Sequence, residues 1–182
     1  MLKKFKAFFH GAAAVKLDFA PFIVRFNRHS YQVMQASDEN IPDLLQLEKQ
    51  VYSGQTPWSR FSFKQELRKR RNSLYLVVYD GGRLAAFIGM RFNEKEGHVT
   101  NIAVSPAYQN QGIATFLLQW MINRSRLAQL KQVTLEVRAD NELAQHLYHK
   151  LGFRDNFIRK NYYLDSNTDA ISMILFLSAP SV

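Results

Sequence analysis

The sequence predicts an α/β (mixed α+β) domain, in which a mixed, mostly antiparallel sheet of about seven strands is flanked by helices. Two observations predict it. Turn signals separate short apolar runs in the first half of the chain, and strand and helix patterns alternate in the second half. The 182 residues are 47% hydrophobic and 21% charged, a balance typical of one folded domain with a full core.

The first half reads as a strand, two helices and a three-stranded meander. Ser37 can begin the first helix, and a loop containing Pro57 and Trp58 precedes the second. Asp80-Gly81-Gly82 is a hairpin turn signal within the meander. Strands are predicted over residues 31–36, 74–79, 84–92 and 98–104, and helices over 37–51 and 61–71.

The second half reads as helix, strand, helix and a closing pair of strands. Residues 112–130 repeat apolar side chains with a helical period. Residues 132–138 alternate strictly, which places Glu136 on the polar face of a strand. Asp140 or Asn141 can cap a helix that Gly152 ends. Antiparallel strands over 153–163 and 170–177 complete the sheet.

The positive charge is concentrated at the N-terminus. The formal charge of the chain is +9, and residues 1–30 contain six basic side chains against one acidic side chain. We predict that residues 1–30 form a basic N-terminal appendage and that residues 31–182 form the domain. A basic chain favours anionic partners such as phosphorylated cofactors or RNA.

The composition also excludes several classes of protein. The absence of cysteine excludes disulfides, thiolate metal sites and a cysteine acyl-enzyme, and it is compatible with a reducing cytoplasm. No apolar run reaches the length of a membrane span, so we expect no transmembrane segment. His98, His146 and His149 lack the spacing of metal ligands, and we expect them at surface or hydrogen-bonded positions with no metal.

The loop after the third meander strand is the first candidate site. The apolar run Ile102 to Val104 ends at a proline turn, and a Gln-x-x-Gly-x-Ala loop over residues 109–114 leads directly into a helix. Backbone N–H groups at such a helix start can bind a phosphate, and small residues let the ligand approach the backbone. Many helices simply begin near a glycine, so the loop alone does not decide between these readings.

Glu136 and Tyr148 are the candidate catalytic pair. The strand that carries Glu136 and the helix that carries Tyr148 pack against each other, so both side chains can reach the cleft beside the Gly112 loop. The structural alternatives are an ion pair for Glu136 with a cation across the sheet and a core position for Tyr148. We expect Arg138 nearby, lowering the pKa of Glu136.

Several motifs in order resemble those of the GNAT acetyltransferases. Asn101 to Pro106, followed by Gln109-x-x-Gly112-x-Ala114, is similar to the acetyl-CoA-binding motif of that family, with alanine at a position where glycine is common. The next two motifs of the family are matched by Leu135 to Asn141, Leu147-Tyr148 and Leu151 to Phe153. The resemblance runs from about residue 31 to residue 177 and implies a sheet that is splayed in its middle.

The resemblance also implies how acetyl-CoA would bind. The backbone of Ile102, Ala103 and Val104, with Asn141, would hold the pantetheine arm, and a backbone N–H near Val104 would stabilise the oxyanion. Amides of the loop would hold the pyrophosphate, namely those of Gln109, Asn110, Gln111, Gly112, Ile113, Ala114 and Thr115. Glu136 would act as the base, directly or through a water, and Tyr148 as the acid for the leaving thiolate.

Two further segments resemble the RimI group within this family. They are Pro57-Trp58-Ser59 and Arg159 to Tyr163. RimI enzymes are bacterial enzymes that acetylate the N-terminal alanine of a small-subunit ribosomal protein. The resemblance implies direct transfer from acetyl-CoA to that α-amine, together with ribosome association. Trp58, Tyr162 and Tyr163 are candidate residues of the peptide groove, with core packing as the alternative for each.

Two other functions are compatible with the sequence. In the first, the chain is a GNAT enzyme that acetylates a different amine, either a lysine side chain or a small polyamine. A basic ribosome- or RNA-binding module could keep the fold without catalysis, and the positive charge of the chain favours this module.

Overall fold

The computed structural model describes residues 19–26, 28–69, 71–163 and 167–177. The strands are β1 (Phe22–Phe26), β2 (His29–Gln35), β3 (Ser73–Asp80), β4 (Arg83–Phe92), β5 (Glu96–Val104), β6 (Gln132–Arg138), β7 (Arg154–Tyr163) and β8 (Thr168–Phe176). The helices are α1 (Ile41–Val51), α2 (Arg60–Arg68), α3 (Ile113–Leu127) and α4 (Glu142–Lys150), with short 3-10 helices at Asp38–Asn40 and Pro106–Tyr108. The predicted mixed α/β class is confirmed.

The eight strands form one sheet in the order β1-β2-β3-β4-β5-β6-β8-β7. Every neighbouring pair is antiparallel except β5 and β6, which are parallel and are connected through α3. A parallel pair needs such a crossover, because a tight turn can join only antiparallel strands. The parallel pair therefore lies inside the sheet, where the second half of the chain meets the meander.

Helices cover the two faces of the sheet with separate hydrophobic clusters. On one face, α1 and α2 pack on a cluster that includes Phe63, Phe87 and Ala103. On the other face, α3 and α4 pack on a larger cluster that includes Leu117, Met121 and residues of β3 to β6. Alternate residues of β6 point to opposite faces, so Val133, Leu135 and Val137 join the larger cluster.

β5 and β6 pair over only half of their length. Residues Glu96 to Val99 align with Gln132 to Leu135, and no pairing continues beyond them. On its other edge β5 pairs with β4 through a bulge, because Val99 opposes Met90 and Asn101 opposes Gly89, which leaves Thr100 as the extra residue. The sheet therefore opens between Asn101 on one strand and Glu136 on the other. This confirms the splayed middle that the family resemblance implied.

β1 is the strand that the sequence analysis did not predict. Phe22, Val24 and Phe26 turn inward in alternation with exposed Ile23 and Arg25, and the strand pairs with β2 along its whole length. The basic composition of residues 1–30 led us to predict an appendage there, although this alternation is a strand signal. The described part of that segment is an edge strand of the same sheet, and residues 1–18 lie outside the described residues.

No helix in the described part of the chain is long and apolar enough to cross a membrane.

Two buried glutamates on the α1–α2 side lie in opposite electrostatic environments. Glu48 is 1% exposed, and its Oε2 accepts a hydrogen bond from the Trp58 N–H at 3.0 Å. Burial raises the pKa of Glu48 to about 7, although the backbone hydrogen bond opposes this shift. Burial would also raise the pKa of Glu66, but hydrogen bonds and charges of Arg91 and Lys69 hold that pKa below its usual value.

We expect Glu48→Gln to stabilise the protein at neutral pH more than at acid pH. Because the folded-state pKa is raised from 4.5 to about 7, the native state binds more protons than the unfolded state between these values. The free energy of unfolding therefore falls as pH rises through this window, by up to about 3 kcal/mol from this carboxyl. Glutamine removes this dependence while its amide oxygen still accepts the Trp58 N–H. Urea denaturation at pH 5 and pH 7.5 measures the difference.

Glu66→Gln is the matched control, because it also removes a buried carboxylate but leaves Arg91 and Lys69 without their partner. We expect it to lower stability at both pH values. A Glu48→Gln advantage that is equal at pH 5 and pH 7.5 would contradict the raised pKa of Glu48.

Candidate active site

A cavity of about 380 Å³ adjoins the opening of the sheet on the face that carries α1 and α2. Its floor is formed by Gln132, Thr134 and Glu136, the side chains of β6 that alternate with the core residues. Its walls come from β5 and from the β7–β8 pair, and include Glu96, His98, Asn156, Phe157, Arg159, Tyr162 and Ser172. Glu136, a candidate catalytic residue, therefore lines this cavity at the point where β5 and β6 separate.

Glu136 lies between two nitrogen-bearing side chains. Its Oε2 is 3.2 Å from His98 Nε2, and its Oε1 is 3.4 Å from an Arg159 guanidinium nitrogen. Burial alone would raise the pKa of Glu136, but the hydrogen bond and charge of His98 and the charge of Arg159 hold it below its usual value. The carboxyl is thus ionised at neutral pH and can accept a hydrogen bond or orient a proton donor.

His98 is held by two contacts at once. Its Nδ1 is 2.8 Å from Thr134 Oγ1, on the opposite ring edge from the nitrogen that faces Glu136. In a neutral ring, the Thr134 hydroxyl donates to Nδ1, and the Nε2–H donates to the carboxylate. A histidine fixed in this way holds the Glu136 carboxylate through its Nε2–H while Thr134 fixes the orientation of the ring.

Arg138 does not have the role that the sequence analysis expected. Its guanidinium pairs with Asp140 at 2.8 Å and lies 5.3 Å from the centre of the Tyr163 ring. The groups that lower the pKa of Glu136 are His98 and Arg159 instead. The parallel register of β5 and β6 sets His98 opposite Thr134, one alternation from Glu136, and the sequence pattern does not define that register. Arg159 comes from β7, a pairing that sequence spacing does not define.

Tyr148 lies on α4 and is 6% exposed, with its ring 5.9 Å from that of Phe153. Burial raises the pKa of the Tyr148 phenol, and the nearby hydroxyls of Tyr52 and Tyr163 add to this shift. The phenol therefore stays protonated through the neutral range and is a hydrogen-bond donor. The Tyr148 ring packs in the core, and the neighbouring hydroxyls come from Tyr52, which follows α1, and from Tyr163 of β7. A catalytic role for Tyr148 stays a prediction.

The three candidate groove residues have different surroundings. Trp58 packs its ring 5.4 Å from Phe63 and 6.2 Å from Tyr75, so core packing describes it well. Tyr162 lines the cavity and is 46% exposed. Tyr163 contacts Tyr162 edge-on, with ring centres 5.2 Å apart, and has a raised pKa of about 12, caused mainly by burial. Of the three, Tyr162 is the side chain that a ligand in the cavity can touch.

The start of α3 presents unpaired backbone N–H groups. The first backbone hydrogen bond of this helix runs from the Phe116 N–H to the Gly112 carbonyl at 3.0 Å. The N–H groups of Ile113, Ala114 and Thr115 consequently have no acceptor within the helix. Gly112 has φ of 87° and would carry a Cβ without contact to any atom within 4 Å, so the space in front of the helix is open. Such a helix terminus fits a phosphate.

The two glutamines of the loop shape its backbone. The Gln109 side chain donates to the Val104 carbonyl at 3.1 Å, and the Gln111 side chain donates to the Ala107 carbonyl at 3.3 Å. Gln111 also accepts a hydrogen bond from the Tyr31 hydroxyl at 2.9 Å. Between them Asn110 adopts a left-handed φ of 60°. These contacts fold the loop, so its backbone is the part available to a ligand.

The predicted residues of the pantetheine site flank the opening. Ile102, Ala103 and Val104 pair with β4 on one edge and have no β6 partner on the other. Asn141 caps α4, with its side-chain oxygen accepting the Ala144 N–H at 3.1 Å. The oxygen of that amide is therefore occupied, and its NH₂ group is the part that can contact a ligand.

Comparisons with known proteins agree with this architecture. Residues 39–153 match the sequence profile of the acetyltransferase (GNAT) family. The [ribosomal protein bS18]-alanine N-acetyltransferase of Escherichia coli strain K12 is 35% identical over 141 residues, which are 76% of this chain and 93% of that protein. The N-alpha-acetyltransferase RimI of Mycobacterium tuberculosis is 36% identical over 132 residues, 70% of this chain and 81% of that protein.

A solved structure agrees as well. The crystal structure of the ribosomal-protein-S18-alanine N-acetyltransferase from Escherichia coli matches with a TM-score of 0.73 at 30% identity, over 84% of this chain and 98% of that one. The profile spans more than half of the chain, including α1, the splayed strands and the loop before α3. The chain belongs to the GNAT family and is an N-acetyltransferase that uses acetyl-CoA.

Proposed function

We propose that the enzyme transfers the acetyl group of acetyl-CoA directly to the α-amine of a protein N-terminus, and that the acceptor is the N-terminal alanine of ribosomal protein S18. The observation that carries this proposal is the placement of Glu136 and His98 at the opening of the sheet, facing a cavity that an extended chain can enter. The names of the bacterial relatives support the choice of acceptor.

The opening and the start of α3 form the proposed acetyl-CoA site. The unpaired edge of Ile102 to Val104 and the NH₂ group of Asn141 hold the pantetheine arm. The N–H groups at the start of α3 hold the pyrophosphate, together with the backbone of Gln109 to Gly112. Much of the rate gain in such a site comes from positioning the thioester beside the amine.

Glu136 and His98 form the proposed base. An α-amine has a reference pKa of about 8, against about 10.4 for lysine, so its proton needs less help to leave. Because the pKa of Glu136 is held low, the carboxylate is a weak base by itself. It accepts the amine proton, directly or through a water, while the Nε2–H of His98 holds the carboxylate in place.

Tyr148 is the proposed donor to the departing sulfur. The raised pKa of Tyr148 makes complete proton transfer to the departing thiolate unfavourable, because the corresponding thiol has a reference pKa of only about 8.5. Its hydrogen bond to the charge that develops on sulfur is the larger contribution. Tyr162, with the Tyr163 ring against it, lines the entrance for the acceptor peptide, and Trp58 supports the groove from its packed position beside Tyr75.

The proposed function also includes the domain bounds, the cellular location and the association with ribosomes. We assign residues 31–182 to the acetyltransferase domain and residues 1–30 to a basic appendage whose last part contributes β1. A ribosomal acceptor implies a cytoplasmic enzyme that associates with ribosomes while it acts. The net charge of +9 supports association with ribosomal RNA.

The acceptor is tested by free-thiol release from acetyl-CoA with three acceptors in parallel. They are a peptide with the N-terminal sequence of S18, a peptide with only an internal lysine, and spermidine. We expect release with the first, because its amine loses a proton most easily near neutral pH. The same S18 peptide with an acetylated N-terminus is the control. Faster release with lysine or spermidine would favour the alternative acceptors, and no acceptor-dependent release would favour a binding module.

We expect Tyr148→Phe to lower kcat by about 10- to 100-fold while the affinity for acetyl-CoA changes little, because the ring packing remains and only the hydroxyl is lost. Steady-state kinetics and calorimetry separate the two quantities. Tyr79→Phe is the control, since it removes a half-buried tyrosine hydroxyl outside the proposed site, one that donates to Asp43 on α1. An unchanged kcat for Tyr148→Phe would remove Tyr148 from the mechanism.

We expect Glu136→Gln to reduce the rate by about 100-fold or more, with the largest loss at low pH, where more of the amine carries a proton that must be removed. The pH–rate profile between pH 6 and pH 9 measures this. Glu96→Gln is the control, because Glu96 lines the same cavity but contacts Gln132 at 2.8 Å instead of the base. A profile identical to that of the unmodified enzyme would exclude a base role.

A further inference from the structure

Asn101 lies opposite Glu136 where the sheet opens. On β5 it follows the bulged Thr100 and pairs with Gly89 of β4, whereas the last β5 residue paired to β6 is Val99. On β6 the last paired residue is Leu135, so Glu136 is the first residue beyond the pairing. Asn101 and Glu136 therefore stand on the two edges of the gap, at its narrow end.

A short hydrogen-bonded chain fixes the Asn101 amide. The Tyr75 hydroxyl lies 3.0 Å from Thr100 Oγ1, and the Thr100 hydroxyl donates to Asn101 Oδ1 at 3.2 Å. Because the single Thr100 proton is used on Asn101, Tyr75 is the donor in the first contact. The chain orients the amide with its oxygen toward Thr100 and its NH₂ group away from it.

The Nδ2 atom of Asn101 is buried and has no hydrogen-bond partner among the described residues. Buried polar atoms are nearly always paired, so an unpaired donor on the strand that faces Glu136 across the gap indicates a partner that arrives with a ligand. The side chain as a whole is only half-buried, so Asn101 is not part of the closed core.

Gly89 makes room for this arrangement. A Cβ at Gly89 would lie 2.2 Å from Tyr75 Cζ and 2.6 Å from Asn101 Oδ1, distances that no side chain permits. The close approach of Tyr75 and Asn101 over the β4 backbone thus depends on this glycine. The network is built into two neighbouring strands and the bulge between them.

We propose that Asn101 is a catalytic residue, whose Nδ2–H donates to the acetyl carbonyl oxygen of the bound thioester. This inference rests on the proposed acetyl transfer. When the amine nitrogen forms its bond to the carbonyl carbon, the C=O π pair moves onto oxygen, where Asn101 stabilises the negative charge. That pair returns as the carbon–sulfur bond breaks, the amine proton passes to Glu136, and the thiolate receives its hydrogen bond from Tyr148.

The chemistry on the two edges of the gap favours this assignment. Glu136 is anionic and has His98 beside it, which suits an amine and its proton. Asn101 supplies a neutral donor on the facing strand, which suits an oxygen that becomes negative. For this contact the arm must enter between β5 and β6 and expose the Asn101 Nδ2 atom, which is buried in the free protein. The expected backbone N–H near Val104 would be a second donor to the same oxygen.

Kinetics of Asn101→Ala test the proposal. We expect kcat to fall by about 100- to 1,000-fold, the effect of losing one oxyanion donor, while the KM of the peptide and the affinity for acetyl-CoA stay within about threefold. Ser73→Ala is the matched control, because Ser73 Oγ is also buried and unpartnered among the described residues but lies on β3, opposite Arg91. We expect Ser73→Ala to leave kcat unchanged.

Two readouts do not depend on turnover. We expect Asn101→Ala to lower the Tm only slightly more than Ser73→Ala does, because it removes the oxygen that accepts from Thr100 but a donor that has no partner among the described residues. In the infrared spectrum of ¹³C-carbonyl acetyl-CoA bound to the enzyme, the carbonyl stretch should lie at lower frequency than in water-free solvent. Asn101→Ala should raise this stretching frequency above its value in the unmodified enzyme.

The outcomes separate the two proposals. If the unmodified enzyme transfers no acetyl group, the proposed function fails. If the enzyme is active but Asn101→Ala keeps its kcat, or if the carbonyl stretch is the same in both proteins, Asn101 is not the donor. A fall in kcat together with a large loss of Tm would assign Asn101 a structural role and would also overturn the proposal.

Discussion

The loss of pairing between β5 and β6 beyond Val99 and Leu135 is the constraint on which the site depends. Beyond these residues the facing backbone edges of β5 and β6 no longer hydrogen-bond to each other, although both strands lie inside the sheet. Unpaired N–H and C=O groups at such a place require a replacement partner. An extended arm with amide groups can supply it, and the position of the gap then decides where the thioester and the two catalytic side chains meet.

Three glutamates on one side of the sheet show how surroundings set the function of a carboxyl group. Glu66, between Arg91 and Lys69, is a structural anion. Glu48 has one backbone donor and a raised pKa, and it ties the end of α1 to Trp58 in the loop before α2. Glu136 has a lowered pKa and is held by His98, whose other nitrogen is fixed by Thr134. Of the three, only Glu136 combines ionisation with a place in the lining of the cavity.

Local patterns predicted most elements, because they depend on residues close in sequence. The alternation of β6 placed Glu136 correctly, and the apolar period of α3 was found, although the helix ends at Leu127 and not near residue 130. Features set by pairing across the sheet were missed. The contact of His98 with Glu136 depends on the β5–β6 register, Arg159 reaches the site from β7, and the Asn101 network depends on a bulge. β1 was missed because composition outweighed its alternation.

β1 has a consequence for how the protein is produced and stored. Its aromatic side chains cover one side of α3, where the ring centres of Phe26 and Phe116 are 5.5 Å apart. The ring centre of Phe19, which precedes β1, lies 5.0 Å from that of Trp120. A recombinant chain trimmed to residue 31 would leave β2 as an open edge beside uncovered rings. Exposed edges of this kind pair with other chains, so such a trimmed chain would be prone to self-association and precipitation. Expression variants should therefore begin upstream of residue 19.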